Sequence, residues 1–169
     1  TGWVGRYFQD DHATYPDGYP NGEFPDPFAI TLGSTVSETC QGTVGNFSLT
    51  LTDPFNFGKL TEGKETLFPE TPYGQELSFL RTSISQTNQY ADVIGAASKK
   101  GKNQATYPTS NLATQLKNVA LLLSGGIKTR VYVANLGGFD THANQVDASD
   151  TTRGTQRELL LILSEAIKA

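Results

Sequence analysis

The fold class of this 169-residue chain follows most directly from residues 130–138, which read Arg-Val-Tyr-Val-Ala-Asn-Leu-Gly-Gly. Residues 130–136 form a short apolar and β-branched run, which is typical of a strand covered on both faces of a sheet. The two glycines that follow are a strong signal for a break in regular structure. We therefore predict a central strand at 130–136 and a loop directly after it.

Helical patterns lie on both sides of this strand. A Thr-Pro pair at 71–72 supplies an N-cap and a first helical residue, and apolar residues then recur at three-and-four spacing. Ser110 caps a second helix, which the glycines at 125–126 close. Downstream, residues 159–167 carry an apolar helical face wide enough to pack on a sheet. This order of helix, strand, loop and helix predicts an α/β fold.

Residues 1–70 differ from the rest because they are rich in Pro, Gly, Asp and aromatic residues. We predict loops there with little regular structure, apart from short strands at 28–32 and 47–52. Residues 71–169 form the helical and α/β part, and we expect both parts to make one compact domain. A strand between two helices needs neighbouring strands for its backbone groups, so we expect missing partner strands and a chain excerpted from a longer one.

Composition excludes several classes of function. The formal net charge is −4 and the pI is about 5.1, which argues against a nucleic-acid partner. The chain has no apolar run near 18 residues, so we predict no membrane span. With Cys40 as the single cysteine it has no intramolecular disulfide, and the sequence leaves the oligomeric state open.

Asp140 and His142 are the best candidates for a functional site. They follow the predicted strand, and ligands of open α/β sheets bind at the carboxyl ends of strands. In an extended loop, residues two apart point the same way, so a carboxylate and an imidazole would converge. These donors suit zinc or manganese, which take about four to six ligands, so at least two more must come from elsewhere. The alternative is an Asx-turn aspartate beside an exposed histidine.

The loop-rich region offers weaker candidates. Asp10, Asp11 and His12 could form a second metal cluster, but adjacent charges in a turn-rich stretch are usually solvated, and we leave them out of the site. Seven aromatic residues crowd the same region, either as a binding platform or as anchors that hold an irregular segment to the body, and we favour anchors. They are Trp3, Tyr7, Phe8, Tyr15, Tyr19, Phe24 and Phe28.

Three stretches resemble one protein family. Residues 131–145 read Val-Tyr-Val-Ala-Asn-Leu-Gly-Gly-Phe-Asp-Thr-His-Ala-Asn-Gln, residues 1–7 read Thr-Gly-Trp-Val-Gly-Arg-Tyr, and residues 158–167 continue into a helix. In this order they resemble domain of unknown function family 1501. That family comprises bacterial proteins usually exported through the twin-arginine route and grouped with the alkaline-phosphatase-like superfamily.

The resemblance implies an incomplete alkaline-phosphatase-like three-layer unit in which Asp140 and His142 belong to a metal site. Members are much longer, with an upstream first strand and downstream strands that carry further site residues. This chain departs from them at Gln156, where relatives tend to have His. The resemblance also implies a periplasmic or extracellular location.

Two functions from different classes follow. The first is part of an exported metal-dependent hydrolase of phosphate or sulfate esters, inactive as an isolated 169-residue chain. The second is a non-catalytic, surface-associated module on the same scaffold, which binds glycans or a protein partner through its aromatic-rich first 30 residues.

Overall fold

A computed structural model describes residues 1–60 and 68–169. In these residues the chain is a mixed α/β protein with four helices and a three-stranded parallel sheet. The elements are α1 (Trp3–Asp11), β1 (Ala29–Leu32), a 3₁₀ turn (Glu38–Cys40), β2 (Ser48–Leu51), α2 (Pro72–Lys100), α3 (Asn111–Ser124), β3 (Val131–Val133) and α4 (Thr155–Lys168). No helix in the described ranges is both long and apolar enough to cross a membrane.

The sheet has the strand order β2-β1-β3, so β1 is its central strand among the described residues. Ala29 of β1 is in register with Ser48 of β2 and with Val131 of β3, and all four residues of β1 are buried. The prediction of a central strand at 130–136 is therefore wrong here, because β3 is shorter and lies at an edge. Its partner is β1 from the loop-rich region, so one neighbouring strand of β3 comes from this chain.

Alternate residues of β1 face two separate apolar layers. Ala29 packs with the aromatic residues of the first region, which we call the aromatic core. Ile30 and Leu32 pack instead on α2 and α3. The aromatic core comprises Val4, Phe8, Tyr15, Phe28, Ala29, Cys40 and Phe47. Burial on both faces explains why β1 reads as apolar at nearly every position.

Helix α4 packs mainly on α3, through Leu112, Ala113 and Ala166. Two residues that follow β3, Ala134 and Leu136, extend this third cluster. The final helix was predicted to pack on the sheet. It does so only at the end of β3, through these two residues, and its main contact is with α3. This places the loop between β3 and α4 at the carboxyl edge of the sheet.

The helix boundaries of α2 and α3 confirm the capping predictions. The side chain of Thr71 accepts a hydrogen bond from the Gly74 backbone nitrogen at 3.2 Å. Ser110 accepts one from the Ala113 nitrogen at 3.1 Å. Each bond satisfies a backbone donor that the first helical turn leaves free.

Helix α1 was not predicted, because residues 3–11 fall in a region dense in turn-forming residues. Val4 and Phe8 lie one turn apart and are both buried. The helix lies unusually close to the backbone of residues 38–42, since a Cβ atom on Gly5 would be only 2.3 Å from the Gln41 carbonyl carbon. Only glycine fits at position 5. Glycine has a low helix propensity, but the close packing of α1 requires it there.

Candidate functional site

The end of β3 is tied to α3 by a pair of hydrogen bonds. The side-chain nitrogen of Gln115 donates to the Asn135 carbonyl at 3.0 Å, and the Asn135 backbone nitrogen donates to Gln115 Oε1 at 2.8 Å. Gln115 is buried, so both polar ends of its amide are satisfied inside the protein. These bonds fix the direction in which the chain leaves the strand.

The following glycines then turn the chain. Gly138 has a φ of +95°, a conformation that favours glycine, and a Cβ atom there would lie 3.3 Å from a methyl carbon of Leu159 on α4. Gly137 does not have positive φ, so one of the two glycines adopts this conformation. The turn brings residues 139–142 out into solvent at the carboxyl edge of the sheet.

Asp140 and His142 come together at the tip of this turn. The Asp140 Oδ1 and His142 Nε2 atoms are 2.8 Å apart, and the two side chains are 81% and 86% exposed. The structure thus brings together the two residues that the sequence selected. Neither side chain is drawn into the core, so both remain accessible to a ligand.

Two other carboxylates of the same loop have structural roles. Asp147 accepts hydrogen bonds from the Ser149 hydroxyl and backbone nitrogen, and Asp150 accepts equivalent bonds from Thr152. These bonds, the hydroxyl one first, lower the pKa of Asp147 and of Asp150. Both are Asx turns that order the loop locally, which leaves Asp140 as the loop aspartate next to an imidazole.

The Asp140–His142 pair fits a divalent cation in the chemistry of its donors. Two ligands that lie about 2.1 Å from a tetrahedral zinc ion are about 3.4 Å apart. The observed 2.8 Å is the distance of a direct contact between the two side chains, so a cation would have to separate them slightly. Within residues 1–60 and 68–169, no group of three or more His, Cys, Asp and Glu side chains is placed to hold a metal ion. The pair would supply two positions of a coordination shell that needs about four to six.

A cleft of about 490 Å³ lies at the same edge of the sheet. It is bounded by the residues that follow β1 and β3 and by the start of α3. Gly137 lines it and is also the first residue of the loop 137–154, which we call the Asp140 loop. Residues 34–39 line one side of it, and they include four hydroxyl residues, Ser34, Thr35, Ser37 and Thr39, and the acidic residue Glu38. Sequence analysis missed this cleft, although the Gly-Ser-Thr run after the strand at 28–32 is a signal of a polar turn at a strand end.

His12 has a structural environment. It is buried, its Nδ1 lies 3.1 Å from the Tyr19 hydroxyl, and its ring centre is 4.3 Å from that of Phe28. Asp10 and Asp11 are exposed beside it. Among the described residues, these three are not placed as a group that could hold a metal ion.

Most of the crowded aromatic residues are anchors, as we favoured. Phe8, Tyr15 and Phe28 are buried in the aromatic core. Trp3 and Tyr7 are the exceptions, at 70% and 59% exposed on the outer face of α1. The first 30 residues therefore expose a much smaller aromatic surface than their composition suggests.

Comparisons with protein-family models, with curated proteins and with solved structures found no match for this chain. The function is therefore argued from the residues of the site, together with the resemblance described above.

Proposed function

We propose that this chain is part of an exported metal-dependent hydrolase of phosphate or sulfate esters, in which Asp140 and His142 are two of the ligands of a divalent cation. The observation that carries the proposal is the 2.8 Å approach of a carboxylate and an imidazole at the carboxyl edge of a parallel sheet. The ester class comes from the resemblance to the alkaline-phosphatase-like family. Zinc and manganese are the cations that this pair of donors favours.

A cation of this kind supplies Lewis acidity, which polarises an ester oxygen and lowers the pKa of a bound nucleophile or water. The residues of this chain have three separate roles around it. Asp140 and His142 hold the cation. Gln115 keeps the end of β3 in place through its two bonds to Asn135. The hydroxyls of the neighbouring cleft are suited to donate hydrogen bonds to ester oxygens.

Two ligands are too few to hold a catalytic cation tightly. We expect the 169-residue chain to bind zinc weakly and to hydrolyse no ester, since the rest of the coordination shell must come from residues beyond the described ones. Catalysis is accordingly a property of the complete enzyme.

The test is a zinc titration of the chain by isothermal calorimetry, repeated with Asp140→Ala and His142→Ala. Each substitution should weaken zinc binding about tenfold or more, because it removes one of two ligands. Asp10→Ala, an exposed aspartate at the end of α1, is the control and should leave binding unchanged. Unchanged zinc affinity in both site variants would refute the metal site. The ester class is tested separately, by hydrolysis of 4-nitrophenyl phosphate and sulfate by the complete protein and its Asp140→Ala variant.

A further inference from the structure

A second cleft, of about 410 Å³, lies near the opposite end of the sheet. It is formed by the middle of α2, the turn at 15–16 and the residues that lead into β1 and β2, so it is separate from the Asp140 loop. None of the described residues that line it carries a charge at neutral pH. Its volume is within the range of about 300–1,000 Å³ typical of small-molecule sites.

Two polar groups at this cleft have no satisfactory hydrogen-bond partner. Gln86 is 7% exposed and Tyr90 is 2% exposed, and both line the cleft. Among the described residues, neither the Gln86 amide nitrogen nor the Tyr90 hydroxyl has a partner in good hydrogen-bonding geometry. The Gln86 amide lies close enough to the Tyr90 hydroxyl to lower its pKa, but this contact does not meet the geometry of a hydrogen bond. Buried polar groups left in this state destabilise a protein, because they lose their bonds to water and gain none in return. A ligand that bonds to them would recover that free energy.

The neighbouring groups keep the cleft neutral. The Tyr15 hydroxyl donates to Gln86 Oε1 at 3.4 Å, which leaves the amide nitrogen as the free end of that side chain. Burial raises the pKa of Tyr15 to about 12, against a smaller opposite effect of Gln86, and it also raises the pKa of Tyr90. Both phenols are therefore protonated at physiological pH. An ion placed here would lose its hydration with no opposite charge to compensate.

Part of the cleft lining is apolar. Phe79 and Val44 line it and are both exposed to solvent. An exposed aromatic ring can contact the C–H groups of a ligand, and the neutral polar groups below it can form hydrogen bonds with the hydroxyls of the same ligand. Sugars combine both kinds of surface in one ligand.

We propose that this cleft binds a neutral, hydroxyl-rich ligand of the monosaccharide class, with Phe79 against its C–H face and with Gln86 and Tyr90 bonded to its hydroxyls. Both polar atoms are covered in this structure, so the Gln86 side chain must rotate toward the cleft as the ligand binds. The proposal does not depend on the hydrolase function, because it uses different residues on a different edge of the sheet.

The experiment measures binding of glucose, galactose, mannose and N-acetylglucosamine to the chain by saturation-transfer NMR and calorimetry. We expect at least one to bind, and we expect Gln86→Leu and Tyr90→Phe each to weaken that binding about tenfold, the equivalent of one hydrogen bond. Tyr90→Phe should leave the melting temperature unchanged, because the Tyr90 hydroxyl has no well-formed hydrogen bond. Gln86→Leu should lower it slightly, because it removes the acceptor of the Tyr15 hydroxyl.

Matched controls lie on the same helix. Gln89→Leu and Tyr73→Phe make the same chemical changes at exposed positions outside the cleft, and they should leave affinity unchanged. Failure of all four sugars to bind at millimolar concentration overturns the proposal. So does unchanged affinity in both cleft variants, or a lower melting temperature in both, which would show that the two groups are already satisfied. Tighter binding of glucose 6-phosphate than of glucose would overturn the neutral class.

Discussion

The aromatic core and the Asp140 loop both belong to parts of the chain in which loops predominate, yet they are held in opposite ways. In the aromatic core, side chains from residues 4–47 pack ring against ring on one face of the sheet, as in the contact of Tyr15 with Phe47 at 4.4 Å between ring centres. The Asp140 loop, residues 137–154, is ordered by short-range bonds such as those of Asp147 and Asp150. A segment held by its own turns can leave other side chains free for a ligand.

The two histidines show the difference most clearly. His12 is enclosed by aromatic rings, and its Nδ1 faces the Tyr19 hydroxyl. His142 is exposed and faces a carboxylate. A histidine beside an aspartate in the sequence is thus no guide to its role, because both histidines have an aspartate within two residues. The packing of the segment decides the role.

The largest effect is expected from Phe28→Ala. Phe28 is buried and its ring contacts those of several other aromatic residues, so its removal should lower the free energy of unfolding by about 3–5 kcal/mol. Phe139→Ala, at a ring 42% exposed in the Asp140 loop, should change it by less than about 1 kcal/mol. Urea unfolding followed by circular dichroism measures both. Similar losses would show that the loop is packed more tightly than we describe.

A smaller effect is expected from adding one methyl group to a glycine. Gly5→Ala puts a Cβ atom 2.3 Å from the Gln41 backbone, so α1 must shift, and we expect a loss of about 1–3 kcal/mol. Gly137→Ala finds no atom within 4 Å and should change stability by less than about 0.5 kcal/mol. Melting temperatures of the two variants test this pair. Equal melting temperatures would mean that the close approach of α1 is not needed.

Alkaline pH should weaken the aromatic core. Burial raises the pKa of Tyr15 from 10.0 to about 12, so between these values the unfolded chain releases a proton that the folded chain retains. Stability therefore falls as pH rises through this range. In Tyr15→Phe the fall in unfolding free energy from pH 8 to pH 11 should be smaller than in the parent chain. Tyr73→Phe, at an exposed tyrosine, serves as the control, and an unchanged fall in Tyr15→Phe would contradict the assignment.

The smallest effect on stability is expected at the candidate metal site itself. Asp140 and His142 are exposed, and exposed ion pairs contribute little, so alanine at either position should change the unfolding free energy by less than about 0.5 kcal/mol. The same variants should lose zinc binding. A large loss of stability in both would assign the pair a structural role.

Local signals were sufficient to predict much of the fold. Thr71 and Ser110 cap helices as predicted, and both short upstream strands form close to their predicted bounds. Helix α1 was missed because it lies in a region rich in turn-forming residues. The contact that holds it in place, the approach of Gly5 to Gln41, joins residues far apart in the chain and has no local signal. The edge position of β3 was missed for the same reason, since strand order is set by long-range pairing.

The candidate site likewise has features that local sequence predicts and features that it does not. Asp140 and His142 were found because both lie in one short loop, where a spacing of two residues predicts a shared direction. The hydroxyl-lined cleft beside them was not found, because three separate elements bound it. The open amide of Gln86 could not be inferred at all from sequence, since only packing shows whether a buried group has a partner.

The position of β1 between β2 and β3 has a consequence for the order of folding. Ala29 pairs with Ser48 and also with Val131, and the bond from the Thr129 hydroxyl to the Pro27 carbonyl spans 102 residues. During synthesis on the ribosome, β1 and β2 emerge long before β3. Until β3 emerges, the backbone groups on one edge of β1 lack their partner strand. Closing so long a loop is slow, so β3 and the Asp140 loop that follows it are expected to join the folded part late, after most of the domain has been synthesised.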